Sequence, residues 1–227
     1  SGLKGWNMPN LGGRILTGAR LVDLGDLTYR PGTSAERYYT HLREVMDEIY
    51  RRGAFPVVLG GDHSITYSTA HRDAAALVHL DAHCDLAAYG EDDFHHHGNV
   101  IARLLDEGLA GDVYHVGLRD TSGGDTKAAG TKAYSANPGV FPEIIEALSG
   151  QTLFISLDVD VVDPAAMPGT GTPVPGGLEM RELCGFLAQL AARCKPRGLD
   201  VVELCPLQDR SDMSAQNVVE LILVFLA

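Results

Sequence analysis

The most informative part of the chain is residues 77–85, Leu77-Val78-His79-Leu80-Asp81-Ala82-His83-Cys84-Asp85. The apolar run that leads into it, residues 75–80, has the length and composition of a buried strand. Asp81, His83 and Asp85 follow at alternate positions, and alternate side chains of an extended chain point the same way. We therefore predict a buried strand whose end directs three ionisable side chains towards one cavity.

Similar apolar runs recur along the chain and alternate with segments of helical pattern. We predict further strands at 55–59, 113–116, 153–157 and 199–204. We predict helices at 34–52, 64–72, 99–108, 139–149, 179–194 and 214–226. This alternation predicts an α/β fold with a mostly parallel sheet and helices on both of its faces. No linker or repeat divides the sequence, so we expect one domain over residues 1–227; residues 1–30 carry no clear element, and no strand is evident before Arg14.

Composition narrows the possible functions. Thirty acidic residues against 18 basic ones give a net charge of −12, which argues against a nucleic-acid or anionic-membrane surface because phosphate binding needs clustered lysine and arginine. No apolar run approaches the ~20 residues that span a bilayer, and the first four residues do not resemble a signal peptide. The four cysteines form no C-x-x-C pair, so we expect reduced thiols in a cytoplasmic protein. Cys84 stands apart from the other three because its neighbours are His83 and Asp85, and a redox role for it stays open.

Four predicted strands end in ionisable or glycine-rich clusters, namely residues 60–64, 81–85, 158–160 and Glu203. In parallel α/β sheets, ligands bind beyond the carboxyl ends of the strands. We therefore expect these four clusters, although far apart in sequence, to lie at the same edge of the sheet.

The clusters contain four carboxylates and two imidazoles that suit a metal site: His63, Asp81, His83, Asp85, Asp158 and Asp160. So many carboxylates would repel one another without a cation between them. The alternative is a set of solvated loop acids that cap helices. Mainly oxygen donors with some nitrogen suit Mn²⁺ better than a structural zinc site, and six ligands are enough for two ions ~3.5 Å apart that would activate a water. The pattern thus predicts a hydrolase.

The same segments resemble the signature motifs of the arginase/agmatinase (ureohydrolase) family. The three motifs are residues 60–64, 81–85 and 156–164, in the family's order; residues 168–173 and 198–203 are similar to its later segments. This resemblance implies a three-layer α/β/α sandwich and hydrolysis of a guanidino group to urea and an amine at two manganese ions. It also implies a homotrimer or homohexamer.

The resemblance further implies a role for each ligand. His63, Asp85 and one oxygen of Asp81 would hold the first ion. His83, Asp160 and the other oxygen of Asp81 would hold the second. Asp158 would touch both ions, and Asp85 would also accept a hydrogen bond from the bridging hydroxide.

Further positions match substrate or proton-transfer sites of the family. Glu203 would orient the planar guanidinium, and His97 would transfer a proton to the leaving amine. Ser122 and Asp125 lie where arginases bind the α-amino group, and Thr172 lies in the segment 168–173. Several neighbours have simpler interpretations: His95 and His96 as exposed loop residues, His79 as a core or supporting histidine, and Asp62 as a hydrogen-bond acceptor for the turn around His63.

The substrate is less clearly indicated. The loop 86–94 lacks the carboxylate-binding signature of arginases and contains three acids, so it should repel free L-arginine. An agmatine-like amine suits this loop, and an arginine side chain within a peptide suits the short chain and its more open cleft. Formiminoglutamate or a guanidino acid is an alternative within the family. A zinc-dependent deacetylase-like amide hydrolase and a non-catalytic binding protein are more distant ones.

Overall fold

The computed structural model describes residues 6–8, 13–90, 95–127 and 130–227. Two short strands, β1 (Trp6–Met8) and β2 (Gly13–Ile15), form a separate antiparallel pair. The main sheet contains β3 (Val57–Leu59), β4 (Ala76–Leu80), β5 (Asp112–Leu118), β6 (Thr131–Ser135), β7 (Thr152–Asp158) and β8 (Lys195–Val202). Its spatial order is β3-β8-β7-β4-β5-β6, and all neighbouring strands are parallel.

The helices are α1 (Ala35–Arg51), α2 (Thr66–Thr69), α3 (Val100–Asp106), α4 (Phe141–Leu148), α5 (Met180–Arg193) and α6 (Met213–Phe225). Sheet residues such as Val78 and Ile155 pack with α4, α5 and α6 in one core. Leu77 and Phe154, one position earlier on the same strands, pack with α3 in a second core, and α1 packs nearby against Val202. Because successive strand side chains alternate between faces, the sheet separates two helical layers. The predicted α/β/α architecture is confirmed.

Element boundaries differ from the predictions in places. The predicted helix 64–72 is a 3₁₀ turn at His63–Ile65 followed by the single-turn α2. The strand predicted at 199–204 begins earlier, at Lys195, and ends before Glu203. The strands β1, β2 and β6 were not predicted, and the expectation of no strand before Arg14 was wrong. The helix predicted from Ser34 is confirmed, since the Ser34 side chain accepts a hydrogen bond from the Arg37 N–H.

Within the described part of the chain, no helix has the length and apolar character needed to cross a membrane.

Candidate metal centre

The carboxyl ends of β3, β8, β7 and β4 meet at one edge of the sheet. Asp81 follows β4 directly, Asp158 is the last residue of β7, and Glu203 follows β8. His63 begins the 3₁₀ turn that comes after β3. Asp62 caps this turn by accepting a hydrogen bond from the Ser64 N–H at 3.0 Å, as predicted. The four clusters that are distant in sequence therefore lie side by side.

The His63 imidazole is the centre of a first group of potential ligands. Its Nδ1 atom lies 3.0 Å from Asp81 Oδ2, 3.1 Å from Asp85 Oδ2 and 3.4 Å from Asp158 Oδ2. All four side chains are buried. The fold thus brings together the residues that the family resemblance assigns to one ion.

A second group forms around His83, on the solvent side of the first. His83 Nδ1 lies 2.9 Å from Asp160 Oδ2 and 3.4 Å from Asp81 Oδ1. Asp81 therefore contributes one carboxylate oxygen to each group. His83 is 27% exposed whereas Asp81 and Asp160 are almost fully buried, so the second group lies nearer to solvent through His83.

Backbone N–H groups hold three of the carboxylates in place. Asp81 Oδ1 accepts from the His83 N–H at 2.6 Å, Asp158 Oδ1 from the Asp160 N–H at 2.8 Å, and Asp160 Oδ1 from the Ala82 N–H at 2.9 Å. In each residue the Oδ2 atom is left to face the ligand groups. Hydrogen bonds of this kind fix ligand orientation before a cation binds.

The donor atoms fit a divalent cation. Among the described residues, His63 Nδ1, Asp81 Oδ2 and Asp160 Oδ2 are buried without a hydrogen-bond partner, an arrangement that is expensive unless another group satisfies them. Burial and the neighbouring Asp81 and Asp160 raise the pKa of Asp158 well above its usual value. The neighbouring carboxylates of Asp160 and Asp81 raise the pKa of His83 to about 11. Both pKa shifts indicate that positive charge stabilises the buried carboxylates at this site.

Glu203 lies at the rim of the first group. Its Oε1 atom accepts a hydrogen bond from the His63 N–H at 2.8 Å, and burial raises the pKa of its carboxyl. A β-carbon on Gly171 would lie 3.9 Å from Glu203 Oε2, so the segment around Gly171 approaches the free oxygen closely. A bridge between Thr170 and Leu204 holds that segment in place. This carboxylate is therefore fixed beside the cluster with one oxygen available to a ligand.

The three consecutive histidines differ in their environments. His97 begins a 3₁₀ turn and is exposed, close enough to Glu203 for its charge to lower the pKa of that carboxyl. His96 is exposed as predicted, and its Nδ1 accepts from the Gly98 N–H at 3.1 Å. The prediction for His95 was wrong, because this ring is half-buried and stacks on Tyr39 with 4.3 Å between centroids. His97 is therefore an exposed imidazole whose charge acts on the Glu203 carboxyl.

The other predicted substrate contacts are exposed and lie on loops. Ser122 and Asp125 belong to the turn after β5, where Asp125 Oδ1 accepts from the Lys127 N–H at 2.9 Å. Thr172 is exposed beside Gly171. Part of the predicted acidic loop, residues 91–94, lies outside the described residues. Among the described residues, Asp125 belongs to neither group of potential metal ligands.

Sequence reasoning placed His79 as a core or supporting residue and overlooked its neighbours. His79 is fully buried, and its Nε2 atom lies 3.0 Å from Asp81 Oδ2, so that it could join His63, Asp81 and Asp85 around an ion. His115, on the adjacent strand, contacts His79 Nδ1 at 2.9 Å. The available signal was the position of His79 two residues before Asp81, on the same face of β4.

A comparison with protein families gives a direct result. The model described as the arginase family matches residues 4–227. The chain belongs to the arginase family. The prediction of a hydrolase that acts on the C–N bonds of amidines is confirmed by this membership together with the names of its relatives.

Individual members of the arginase family are similar over most of the chain. N(1)-aminopropylagmatine ureohydrolase of Thermus thermophilus is 35% identical over 199 residues, which are 82% of this chain and 67% of that protein. Agmatinase of Bacillus subtilis is 28% identical over 221 residues, 92% of this chain and 75% of that protein. The crystal structure of formimidoylglutamase from Bacillus subtilis superposes with a TM-score of 0.84 at 27% identity, covering 96% of this chain and 74% of that one. The chain thus spans about two thirds to three quarters of the length of these proteins.

Proposed function

We propose that this arginase-family member is a dinuclear manganese ureohydrolase that cleaves a guanidino C–N bond and releases urea and an amine. The observation that carries the proposal is the geometry of Asp81, whose oxygens lie 3.0 Å from His63 Nδ1 and 3.4 Å from His83 Nδ1. A carboxylate that divides its oxygens between two groups of ligands suits two cations rather than one.

Six residues would hold the manganese ions. His63, Asp81, Asp85 and Asp158 would hold one Mn²⁺, and His83 and Asp160 would hold the other together with Asp81 and Asp158. When bound, the ions supply Lewis acidity and lower the pKa of water towards neutrality. Carboxylates and imidazoles without a thiolate suit Mn²⁺, and the buried Oδ2 and Nδ1 atoms without hydrogen bonds support this assignment.

The remaining chemistry belongs to side chains of the chain itself. Glu203, held by the His63 N–H, presents its second oxygen to a guanidinium and orients the planar group. Asp85 accepts a hydrogen bond from the attacking water. His97 is an exposed imidazole close to Glu203, and it donates a proton to the leaving amine. The C–O bond forms as the C–N bond to this nitrogen breaks, and the proton that the attacking water loses is balanced by the one that His97 takes up again from solvent.

We propose an agmatine-like amine or a peptide-borne arginine as the substrate, rather than free arginine. The turn that carries Ser122 and Asp125 is exposed, and the chain has a net charge of −12, so a cationic tail is attracted to this surface and a free carboxylate is repelled. Two of the relatives reported above are named for agmatine and for an aminopropyl derivative of it, both of which lack a carboxylate. In this proposal Ser122, Asp125 and Thr172 contact the substrate tail.

Formiminoglutamate is the second candidate, supported by the TM-score of 0.84 with formimidoylglutamase. Its two carboxylates make it the less suitable ligand for an acidic cleft.

We further propose that the enzyme is cytoplasmic and forms a homotrimer or homohexamer. Analytical ultracentrifugation of the purified protein tests the assembly, and a monomer in that experiment would contradict it.

The decisive experiment measures urea release from agmatine, aminopropylagmatine, an arginine-containing peptide, free arginine and guanidino acids, with formamide release from formiminoglutamate in parallel. The protein is loaded with Mn²⁺, and metal content is determined by elemental analysis. We expect two ions per chain and the highest kcat/KM with an amine that lacks a carboxylate. A single ion in fully active protein, or no urea from any guanidino compound, would overturn the proposal.

Two variants complete this experiment. Asp158→Asn removes a carboxylate from the ligand groups and should abolish urea release and reduce bound manganese. Asp112→Asn makes the same chemical change at an exposed position on β5 and should leave both unchanged.

A further inference from the structure

A row of four polar residues crosses the sheet beneath the ligand groups. Strand register pairs His115 of β5 with His79 of β4, His79 with Ser156 of β7, and Ser156 with Asp200 of β8. All four residues have no measurable exposure. Because side chains two positions apart share a face, His79 lies beneath Asp81, and Ser156 lies beneath Asp158.

One half of this row supports His63. Ser156 Oγ lies 2.8 Å from His63 Nε2, and Thr66 Oγ1 links Ser156 to Asp200 at 3.0 Å on each side. The ring nitrogen of His63 that does not face the ligand groups is thereby held in place. The other half of the row, His79 and His115, contacts Asp81 instead.

The two imidazoles form a chain that leads to the shared carboxylate. His115 Nδ1 and His79 Nδ1 are 2.9 Å apart, so one proton lies between them, and His79 Nε2 lies 3.0 Å from Asp81 Oδ2. The His79 ring is therefore held between His115 and the Asp81 carboxylate. Burial and the charge of His79 lower the pKa of His115 to about 3, so His115 is neutral at physiological pH.

We propose that His115 is a positioning residue, which holds the His79 ring through the contact between their Nδ1 atoms and thereby holds the orientation of the Asp81 carboxylate that both ions share. The proposal rests on the metal-binding part of the proposed function. A purely structural role explains the residue poorly, because an imidazole buried in a sheet is more costly than an apolar side chain. In the described part of the chain, His115 Nε2 is buried without a hydrogen-bond partner, so Nδ1 makes the contact that offsets the burial.

The test is calorimetric titration of the metal-free full chain with MnCl₂, which needs no substrate. In His115→Asn the side-chain amide takes the position of Nδ1, and we expect manganese affinity within about threefold of the wild type. His115→Gln places its amide near the Nε2 position, and His115→Leu has no polar group. Both should weaken binding about 10–100-fold, the usual effect of losing a residue that orients a ligand. Val116→Ala, a buried neighbour on β5, controls for general loosening and should keep wild-type affinity.

Each result of the manganese titrations either supports or overturns the role of His115. If His115→Leu does not fold, the difference between His115→Asn and His115→Gln decides. Equal wild-type affinity in all folded His115 variants overturns the inference, as does equal loss in Val116→Ala. A wild-type protein that binds no manganese overturns the proposed function itself, whereas two tightly bound ions in both wild type and His115→Leu overturn only the role of His115.

Discussion

Asp85 and Glu203 both adopt the left-handed backbone conformation, with φ of 52° and 63°. Such a conformation costs roughly 1–3 kcal/mol for a residue with a β-carbon. Backbone hydrogen bonds hold it in place: the Asp85 carbonyl accepts from Ile101 N–H and Ala102 N–H, and Glu203 N–H donates to the Gly61 carbonyl at 2.8 Å. With this backbone, Asp85 Oδ2 lies 3.1 Å from His63 Nδ1, and Glu203 Oε1 accepts a hydrogen bond from the His63 N–H.

A change at His97 should affect turnover and leave metal binding intact. We expect His97→Ala to lower kcat by about 10²–10⁴-fold, the usual contribution of a general acid, because the charge of His97 acts on the Glu203 carboxyl that would orient the guanidinium. Manganese content should stay at the wild-type level. His96→Ala is the matched control, and inactive His96→Ala with active His97→Ala would reverse the assignment.

His115 also predicts how stability depends on pH in the metal-free protein. Its pKa is about 3 in the folded state and near 6.5 in the unfolded chain. The unfolded state therefore binds the extra proton between these values, so the contribution of a neutral His115 is present above pH 6.5 and is lost as the pH falls towards 3.

Between about pH 6.5 and 5, His115→Asn should lose less free energy of unfolding than the wild type, by about 1.5 kcal/mol. Urea titrations in a chelator at the two pH values measure this difference. His41→Asn, which replaces an exposed histidine of α1, should follow the wild type. Identical pH dependence in wild type and His115→Asn would contradict the prediction.

At the scale of elements, Arg119 joins the end of β5 to two neighbouring loops. Its guanidinium donates to the carbonyls of Gly117, Asp160 and Val161, and to that of Val174 at 2.7 Å. Asp160 belongs to the turn after β7, and Val174 follows the segment that carries Gly171 and Thr172. One side chain thereby ties a proposed ligand to the segment beside Glu203.

Arg119→Ala should lower the free energy of unfolding by about 3 kcal/mol, because several carbonyls lose a charged donor at once. It should also raise KM, whereas the structure of distant elements should stay largely unchanged. Arg193→Ala, which removes an exposed ion pair to Glu146, should cost about 1 kcal/mol or less. Chemical denaturation of both variants measures the contrast, and equal losses would argue against the bracing role of Arg119.

Sequence reasoning missed strand β6 for a physical reason. Strand β6 pairs only with β5 at the edge of the sheet, and its residues are half-buried or exposed. An edge strand needs no continuous apolar run, so Thr131–Ser135 carries no pattern that separates it from a loop. The buried strands β4 and β7 have apolar runs on both faces, and these were predicted to within one residue of their bounds.

At the scale of the whole molecule, bound manganese should stabilise the fold. A ligand at about 100 times its Kd that binds only the folded state adds about 2.7 kcal/mol, which corresponds to roughly 5–10 °C in Tm for a chain of this size. Differential scanning fluorimetry with MnCl₂ should show this rise, and EDTA should reverse it. Asp158→Asn should respond weakly; an equal rise in this variant would place the stabilising ions elsewhere.

Residue type and local spacing were enough to assign the architecture, the four strand-end clusters and the hydrolase class, because apolar runs and alternating polar residues act over a few positions. Such local patterns do not predict which distant residues contact each other. His79 and His115 are 36 positions apart, and they meet because β4 and β5 are neighbours in register. The division of the Asp81 oxygens between His63 and His83, and the exposure of Ser122, Asp125 and Thr172, likewise depend on how strands and loops pack in three dimensions.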